Sequence, residues 1–256
     1  MLENFSSPNT RGNSFRTCAW SPDGRRLAAA TVTHGILLFE LATGAVQSLG
    51  GAQRAGAYFY NLIRWSPDGA MLAADLEDGM IGVWDTNSDG PLLQVPRERW
   101  CFAWSSDSTH LALVESRGDG SELVLWDVRQ RERKPIAVHP GEVLGMEWMR
   151  RDNLLITAGS DGWLRWWDVQ TGDCARQVQA HSGKINGIRL SPDETLIAGY
   201  GDEGGILIWD AYTGDFLKTL RRDRPYERMV ITGIQGLNNA QKATLHALGA
   251  MQASGS

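Results

Sequence analysis

The residues able to do chemistry are few in this chain, and their spacing matches no common catalytic or metal-binding pattern. The five histidines are His34, His110, His139, His181 and His246. They form neither an HExxH pair nor a cluster with cysteine, so no zinc site is predicted. The sequence also lacks a Gly-x4-Gly-Lys-Ser/Thr phosphate loop and a Gly-x-Ser-x-Gly elbow. We therefore predict that the chain is not an enzyme and uses no cofactor and no metal.

Charge and cysteine content set further bounds. The chain has 256 residues and a formal net charge of −5, which argues against a nucleic-acid ligand, because phosphate backbones attract clustered basic residues. No apolar run reaches the roughly 18 residues that a membrane span needs, and the polar N-terminal segment does not resemble a secretory signal. The three cysteines, Cys18, Cys101 and Cys174, lack metal-type spacing and favour reduced thiols in a cytoplasmic protein.

The strongest pattern is an internal repeat. A Trp-Asp pair recurs at intervals of 42, 41 and 42 residues, and Phe39-Glu40 lies 45 residues before the first pair. The pairs are Trp84-Asp85, Trp126-Asp127, Trp167-Asp168 and Trp209-Asp210. The motif Trp-Ser-Pro-Asp-Gly keeps the same phase at 20–24 and 65–69, with weaker versions in the three later units. A period in the low forties with four short strands per unit is typical of β-propeller blades.

Each unit predicts four strands, because short apolar runs alternate with turn residues. The predicted fold class is therefore all-β, a propeller of about five four-stranded blades with a short C-terminal helix. The expected blades are 15–50, 60–95, 99–138, 143–180 and 185–220. An N-terminal segment, 1–14, precedes them, and a tail, 221–250, follows. Residues 251–256 have the composition of a linker or cloning scar.

The repeats resemble those of the WD-repeat family over residues 15 to about 220. The resemblance implies a buried set of His, Ser or Thr, Asp and Trp that stiffens each blade, since buried polar groups must bond to one another. The predicted members are His139, Thr157, Asp161 and Trp167 in the fourth blade and His181, Asp202 and Trp209 in the fifth. In the fifth blade the segment Ala198-Gly199-Tyr200 offers no obvious hydroxyl at the corresponding place. We interpret these residues as structural.

WD-repeat rings usually have more than five blades, so closure of this array is left open by the sequence. Three arrangements remain: five blades that close on themselves, an open array, and the C-terminal part of a larger ring. An open array exposes strand edges, which pair readily with another chain. A homo-oligomer assembled through open blade edges is therefore one expectation.

The tail resembles the segment that follows WD repeats in bacterial signal-transduction ATPases of the NB-ARC or NACHT type, the STAND regulators. The resemblance covers Arg224 to Ala250, within which Asn238 is expected to cap a short helix that Gly249 ends. In such proteins the propeller is the sensor of a nucleotide-binding switch, so the resemblance implies a sensing role. The plainer interpretation is that the helix caps an exposed edge of the propeller.

Partner binding is expected on one end of the propeller, where loops leading into the first strands meet loops between the second and third strands. Aromatic anchors and isolated charges are typical of interaction hot spots. The predicted partner-binding residues are Tyr58, Phe59, Glu77, Glu98, Trp100, Glu142, Ser160 and Lys184. We predict a non-catalytic propeller that binds a protein or peptide, as the sensor of a STAND-type regulator. A self-assembling scaffold is one alternative, and an enzyme using channel carboxylates is another.

Overall fold

The computed structural model of this protein describes residues 15–31, 35–49, 62–76, 79–88, 90–99, 101–118, 120–202, 204–221, 226 and 229–251. These residues form twenty strands in five antiparallel sheets, followed by one helix. Each sheet uses four consecutive strands that are hydrogen-bonded in sequence order. The predicted all-β fold with five four-stranded blades and a short C-terminal helix is thereby confirmed.

The five sheets are named blades one to five in chain order. Blade one contains β1 (Phe15–Trp20), β2 (Arg26–Thr31), β3 (Gly35–Glu40) and β4 (Val46–Leu49). Blade two contains β5 (Ile63–Trp65), β6 (Met71–Asp75), β7 (Met80–Asp85) and β8 (Pro91–Pro96). Blade three contains β9 (Ala103–Trp104), β10 (His110–Arg117), β11 (Gly120–Asp127) and β12 (Arg133–His139). Blade four contains β13 (Val143–Met149), β14 (Leu154–Gly159), β15 (Trp163–Asp168) and β16 (Cys174–Gln179). Blade five contains β17 (Ile185–Leu190), β18 (Leu196–Gly201), β19 (Ile206–Asp210) and β20 (Phe216–Leu220).

The Ser-Pro-Asp-Gly motif forms the turn between the first two strands of a blade. In blade one, the Ser21 hydroxyl donates to Asp23 Oδ1 at 2.6 Å and accepts the N–H of Arg26 at 2.9 Å. Gly24 has a φ of 70°, a left-handed conformation that glycine adopts without strain. The hydrogen bonds from Ser21 and from the N–H of Arg25 lower the pKa of Asp23. Because the turn occupies this carboxylate, its role is structural.

Successive blades are joined by apolar cores at four seams. At the seam between blades four and five, Leu164 and Trp166 pack against Ile188, Ile197 and Trp209, and all five side chains are buried. The face of a blade that packs on the next blade is called its following face here, and the opposite one its preceding face. Burying one such apolar side chain stabilises the fold by roughly 1.5–3 kcal/mol, so the seams hold the blades in their order.

Tryptophans at the ends of the first strands reinforce two of these seams. Trp65 Nε1 donates to Ala19 O at 2.9 Å, and Trp104 Nε1 donates to Arg64 O at 3.1 Å. Each indole therefore ties the first strand of its blade to the first strand of the preceding blade. Trp20 has the same register in blade one, and 60% of it is exposed.

The tail contains helix α1 (Asn239–Ala247), which begins with a reciprocal cap. The side chain of Asn238 accepts the N–H of Gln241 at 2.8 Å, and Gln241 Oε1 accepts the N–H of Asn238 at 3.0 Å. Beyond the helix the chain turns back, so that Val230 and Met251 form a parallel bridge. Among the described residues, no helix is long and apolar enough to cross a membrane.

Candidate binding surfaces

Four of the predicted partner-binding residues fall outside the described part of the chain. They are Tyr58, Phe59, Glu77 and Trp100. The other four, Glu98, Glu142, Ser160 and Lys184, lie in loops or at strand ends of blades three to five. Two of these come together, and the other two do not.

Glu142 and Ser160 contact each other where β13 begins and β14 ends in blade four. The backbone N–H of Glu142 donates to Ser160 Oγ at 3.2 Å, and the backbone N–H of Ser160 donates to Glu142 O at 2.9 Å. The Glu142 carboxylate also pairs with Arg99 at 2.7 Å, which links this loop to the segment before β9. Lys184 is exposed and lies immediately before β17. This end of blades three and four therefore presents a partly exposed ion pair.

Glu98 supports a hairpin. Its carboxylate accepts the backbone N–H of Ser116, near the tip of the hairpin that joins β10 and β11. These two strands have eight residues each, which makes them the longest strands in the described part of the chain. Arg133, at the start of β12, bridges Glu115 and Glu122 of this hairpin, with both distances at 2.6 Å. The role of Glu98 in this structure is therefore to hold the hairpin in place.

In the buried polar set of blade four, the residues that bond to one another differ from those predicted. Trp167 Nε1 donates to Thr157 Oγ1 at 2.8 Å. Asp161 instead pairs with Arg165 at 2.7 Å, and Arg165 Nη1 donates to His139 Nε2 at 3.4 Å. An arginine that the sequence analysis did not include therefore stands between His139 and Asp161. It is accommodated because Arg165 points to the same side of the sheet as Thr157, which lies opposite it in the register.

The arginine fixes the chemistry of His139. Because a guanidinium can only donate, His139 Nε2 is the accepting nitrogen, and Nδ1 donates to Gly141 O at 3.3 Å. Burial and the charge of Arg165 lower the pKa of His139 to about 4. The imidazole is therefore neutral at physiological pH and serves to brace the blade.

Blade five lacks half of this arrangement. Gly199 takes the register position of Thr157, and Trp209 Nε1 is buried without a hydrogen-bond partner among the described residues. Asp202 accepts a hydrogen bond from Asn186 Nδ2 at 3.0 Å, and its register is that of Ser160. Asp202 therefore does not occupy the place of Asp161 that the sequence analysis assigned to it. His181 Nδ1 accepts the N–H of Gly183 at 2.9 Å and shapes its own loop.

An ion-pair cluster that the sequence analysis missed lies where the first strands of blades two, four and five converge. Arg64 donates through Nη1 and Nη2 to Glu147, at 3.0 and 2.8 Å, and Arg189 Nη1 donates to the same carboxylate at 2.9 Å. All three residues stand one place before the last apolar position of the motif; in blade three that place is Ala103. The sequence signal that could have revealed the cluster is the presence of a charged residue at this position in three of the repeats.

The following face of blade five is exposed, and no described sheet packs on it. Its apolar residues are Leu196, Ala198, Tyr200, Ile206 and Leu220, whose register counterparts in blade four are Leu154, Ile156, Ala158, Leu164 and Val178. The blade-four residues pack in the seam with blade five. By contrast, Tyr200 is 55%, Ile206 48% and Leu220 47% exposed. We call these five blade-five residues the end face.

Blade one is uncovered on its preceding face. Leu41 is exposed, whereas Thr86, its counterpart in blade two, is buried. A groove of about 420 Å³ runs along this face past Phe15, Cys18 and Phe39. Besides the strand edges expected to be open, each end of the described array thus exposes an apolar sheet face.

Neither described surface has the residues of a metal site. Within the described ranges, no three His, Cys, Asp or Glu side chains stand close enough to share a metal ion. Cys18, Cys101 and Cys174 are free thiols, and burial raises the pKa of Cys101 to about 12. These surfaces offer apolar contact and ion pairing, which are the means of recognising another molecule.

Comparison with known sequences identifies the repeats. Residues 133–168 and 172–210 match the family described as WD domain, G-beta repeat. The chain is 26% identical over 172 residues to ribosome biogenesis protein YTM1 of Coprinopsis cinerea, covering 65% of this chain and 38% of that protein. It is also 26% identical over 172 residues to WD repeat-containing protein 1 of Xenopus tropicalis, covering 62% of this chain and 27% of that protein. The chain thus spans well under half the length of these relatives.

Comparison with solved structures supports the same fold. One chain in the crystal structure of a mitotic checkpoint complex superposes with a TM-score of 0.62 at 21% identity, covering 84% of this chain and 71% of that one. At this identity the likeness shows the fold alone. Residues 133–168 and 172–210 thus match WD repeats, and the five described sheets have the β-propeller fold.

Proposed function

We propose that the chain is a non-catalytic propeller that binds another protein by surface complementarity. The observation that carries this proposal is the end face of blade five, where Leu196, Tyr200, Ile206 and Leu220 are exposed at positions that form a core one blade earlier. Contiguous exposed apolar surface of this kind marks protein interaction sites.

The neighbouring seam indicates the chemistry of the partner. The counterparts of these residues in blade four pack on Ile188, Ile197 and Trp209, which project from a twisted antiparallel sheet. A partner with an apolar sheet face of the same kind would fill the end face with the same complementarity. The occupant we propose is therefore a β-sheet of another protein, docked face to face.

The loop end of blades three and four extends this proposal. Arg99, Glu142 and Ser160 adjoin there, and their partly exposed ion pair suits the polar rim of an interface. The aromatic residues Phe59 and Trp100 remain predicted anchors on that side. Replacing both with alanine should abolish partner binding while leaving the melting temperature nearly unchanged.

Within this function we propose a sensor role in a cytoplasmic STAND-type regulator. The tail supports it, because the segment that resembles the tail of those regulators folds into a capped helix closed by the bridge between Val230 and Met251. The three free thiols suit a reducing compartment. Nucleotide-dependent activity of a longer protein, lost when the end face is altered, would test the sensor role.

The end face can be tested with charge substitutions. Ile206→Glu combined with Leu220→Glu should prevent sheet docking, because two carboxylates would be desolvated in the interface. Val138→Glu is the matched control, since Val138 is exposed on the outer strand of blade three. Proteins from the source cell should be retained by the wild type and by the control and lost from the double variant. Retention that the double variant leaves unchanged would contradict the proposal.

Self-assembly is a second candidate, favoured because one chain carries both an uncovered following face and an uncovered preceding face. Absolute mass by light scattering over a range of concentrations tests it. A mass above the 28.2 kDa of one chain that Ile206→Glu with Leu220→Glu returns to monomer would support it. A monomer at every concentration would rule it out and leave a different protein as the partner.

A further inference from the structure

A cavity of about 410 Å³ opens beside the first strands of blades four and five, separate from the loop end discussed above. Its walls include Leu62, Met146, Ile188 and Tyr200. The residues lining it include two charged groups, Arg64 and Arg189, and both are cations. A pocket of this size accommodates a side chain with its neighbours, so its electrostatics decide what it can hold.

The charges in this pocket are not balanced within the cluster. Arg64 and Arg189 share one carboxylate, that of Glu147, so the three groups carry a net charge of +1. Within the described part of the chain Arg64 Nε is buried without a hydrogen-bond partner, although both terminal nitrogens of Arg64 bond to Glu147. The side chain of Arg189 is 60% exposed and lines the pocket. One further anion would complete the cluster.

The pKa shifts of neighbouring groups agree with an unbalanced positive charge in the pocket. Burial and the nearby charge of Arg64 lower the pKa of Arg189, because removal of water and a second cation both disfavour its charged form. Burial raises the pKa of Cys101 to about 12, so the thiol in the pocket wall stays neutral and supplies no counter-charge. Among the described residues that line the pocket none is a carboxylate, so a bound anion would balance the charge.

We propose that this pocket binds a carboxylate on an apolar stem, presented as a Glu or Asp side chain within an apolar segment of a peptide. The stem would lie against Leu62, Met146 and Ile188, and the carboxylate would accept from Arg189 beside the charge of Arg64. A single carboxylate matches the net charge of +1, whereas a phosphate dianion would leave one charge in excess. A planar carboxylate also fits the guanidinium fork.

This inference rests on the proposed function only in taking the ligand to be part of a protein. Ala198, Tyr200 and Ile206 belong to both surfaces, since they line the pocket and lie on the end face. Arg189 lines the pocket without belonging to the end face, and Leu220 belongs to the end face without lining the pocket. Substitutions at these two positions therefore separate the two proposals.

Calorimetric titration with short blocked peptides tests the pocket. The probe is acetyl-Ala-Leu-Glu-Leu-Ala-amide, compared with the same peptide carrying Gln or phosphoserine in the centre. We expect the Gln peptide to bind at least about tenfold more weakly, as expected for loss of a charge-assisted hydrogen bond. Added salt should weaken binding of the Glu peptide, because the attraction is electrostatic. Equal binding of the Glu and Gln peptides, no binding of either, or tighter binding of phosphoserine would overturn the proposal.

Variants of the protein locate the effect. Arg189→Gln should weaken binding of the Glu peptide at least about tenfold, and its melting temperature checks that it folds. Arg150→Gln is the control, because it removes a cation of similar exposure that pairs with Glu194 outside the pocket. Binding that survives Arg189→Gln would overturn the assignment. Leu196→Glu with Leu220→Glu changes the end face outside the pocket lining, so it tests the proposed function and not the pocket; an effect confined to Arg189 supports the pocket alone.

Discussion

Blades four and five have the same strand register, but they differ in the hydrogen bonding of a buried tryptophan and in the exposure of their following faces. In blade four the buried indole of Trp167 bonds to Thr157, whereas in blade five Gly199 leaves the indole of Trp209 without a partner. An unsatisfied buried donor costs roughly 1–3 kcal/mol. Blade five therefore relies on apolar packing for its stability.

The two blades also differ on their following faces. The Leu164 side chain is fully buried in the seam, and its counterpart Ile206 is half exposed. The same repeat position thus stabilises the fold in one blade and is free to contact a partner in the next. The comparison teaches that repeat position sets the residue type, while the neighbour decides what that residue does.

The largest expected effect comes from truncating the two counterparts. Leu164→Ala should lower the free energy of unfolding by about 2–5 kcal/mol, because it leaves a cavity in the seam. Ile206→Ala should change it by less than about 1 kcal/mol, since the side chain is half exposed. Urea denaturation followed by tryptophan fluorescence measures both. Equal losses from the two variants would show that the end face is covered in solution.

The pH dependence of stability tests the His139 and Arg165 pair. An unfolded histidine has a pKa near 6.5, and the folded His139 has one of about 4. Between these values the unfolded chain binds the extra proton, so the free energy of unfolding falls as the pH drops. The loss from this group should approach about 3 kcal/mol by pH 4.

His139→Gln should remove that part of the pH dependence. His181→Gln is the control in blade five, where the ring contacts its own loop and Leu207 takes the register position of Arg165. Stability is measured by urea denaturation at steps of half a pH unit. An unchanged slope in His139→Gln would show that other groups govern acid unfolding.

The sequence predicted the blades well because their signals are local and repeated. The Trp-Asp and Ser-Pro-Asp-Gly motifs mark the third strand and first turn of a blade, and the structure has them there. The Asn238 cap was likewise readable, since a cap needs residues only a few positions apart. Such features do not depend on contacts distant in the chain.

The features that the sequence analysis missed depend on distant contacts. Arg64 and Glu147 are 83 residues apart, and they meet only because the first strands converge. Arg165 enters the polar set because it shares a sheet side with Thr157, a fact fixed by strand register. The uncovered end face follows from what lies beside blade five, which no residue pattern within that blade encodes.

A smaller effect is expected from the hydroxyl of blade four. Thr157→Val keeps the shape of the side chain and removes the acceptor of the Trp167 indole, so blade four would acquire the unsatisfied donor of blade five. We expect the free energy of unfolding to fall by roughly 1–3 kcal/mol. Thr157→Ser retains the hydroxyl and serves as the control. If Val and Ser are equally stable, the hydrogen bond contributes nothing to the difference between the blades.

The smallest expected effect comes from the reverse change in blade five. A Cβ at Gly199 would lie 2.8 Å from Cζ3 of Trp209 and 3.1 Å from Gly187 O, so the indole must move to admit a side chain. Gly199→Ala should therefore destabilise the protein by about 1 kcal/mol or more through overpacking. Gly199→Ser adds the same carbon and a hydroxyl that can accept from the displaced indole, so it should recover about 0.5–1.5 kcal/mol of that loss. Urea denaturation of the two variants side by side isolates the hydroxyl. If Ser is no better than Ala, the indole of Trp209 does not lack a partner in solution, and the contrast between blades four and five is one of packing alone.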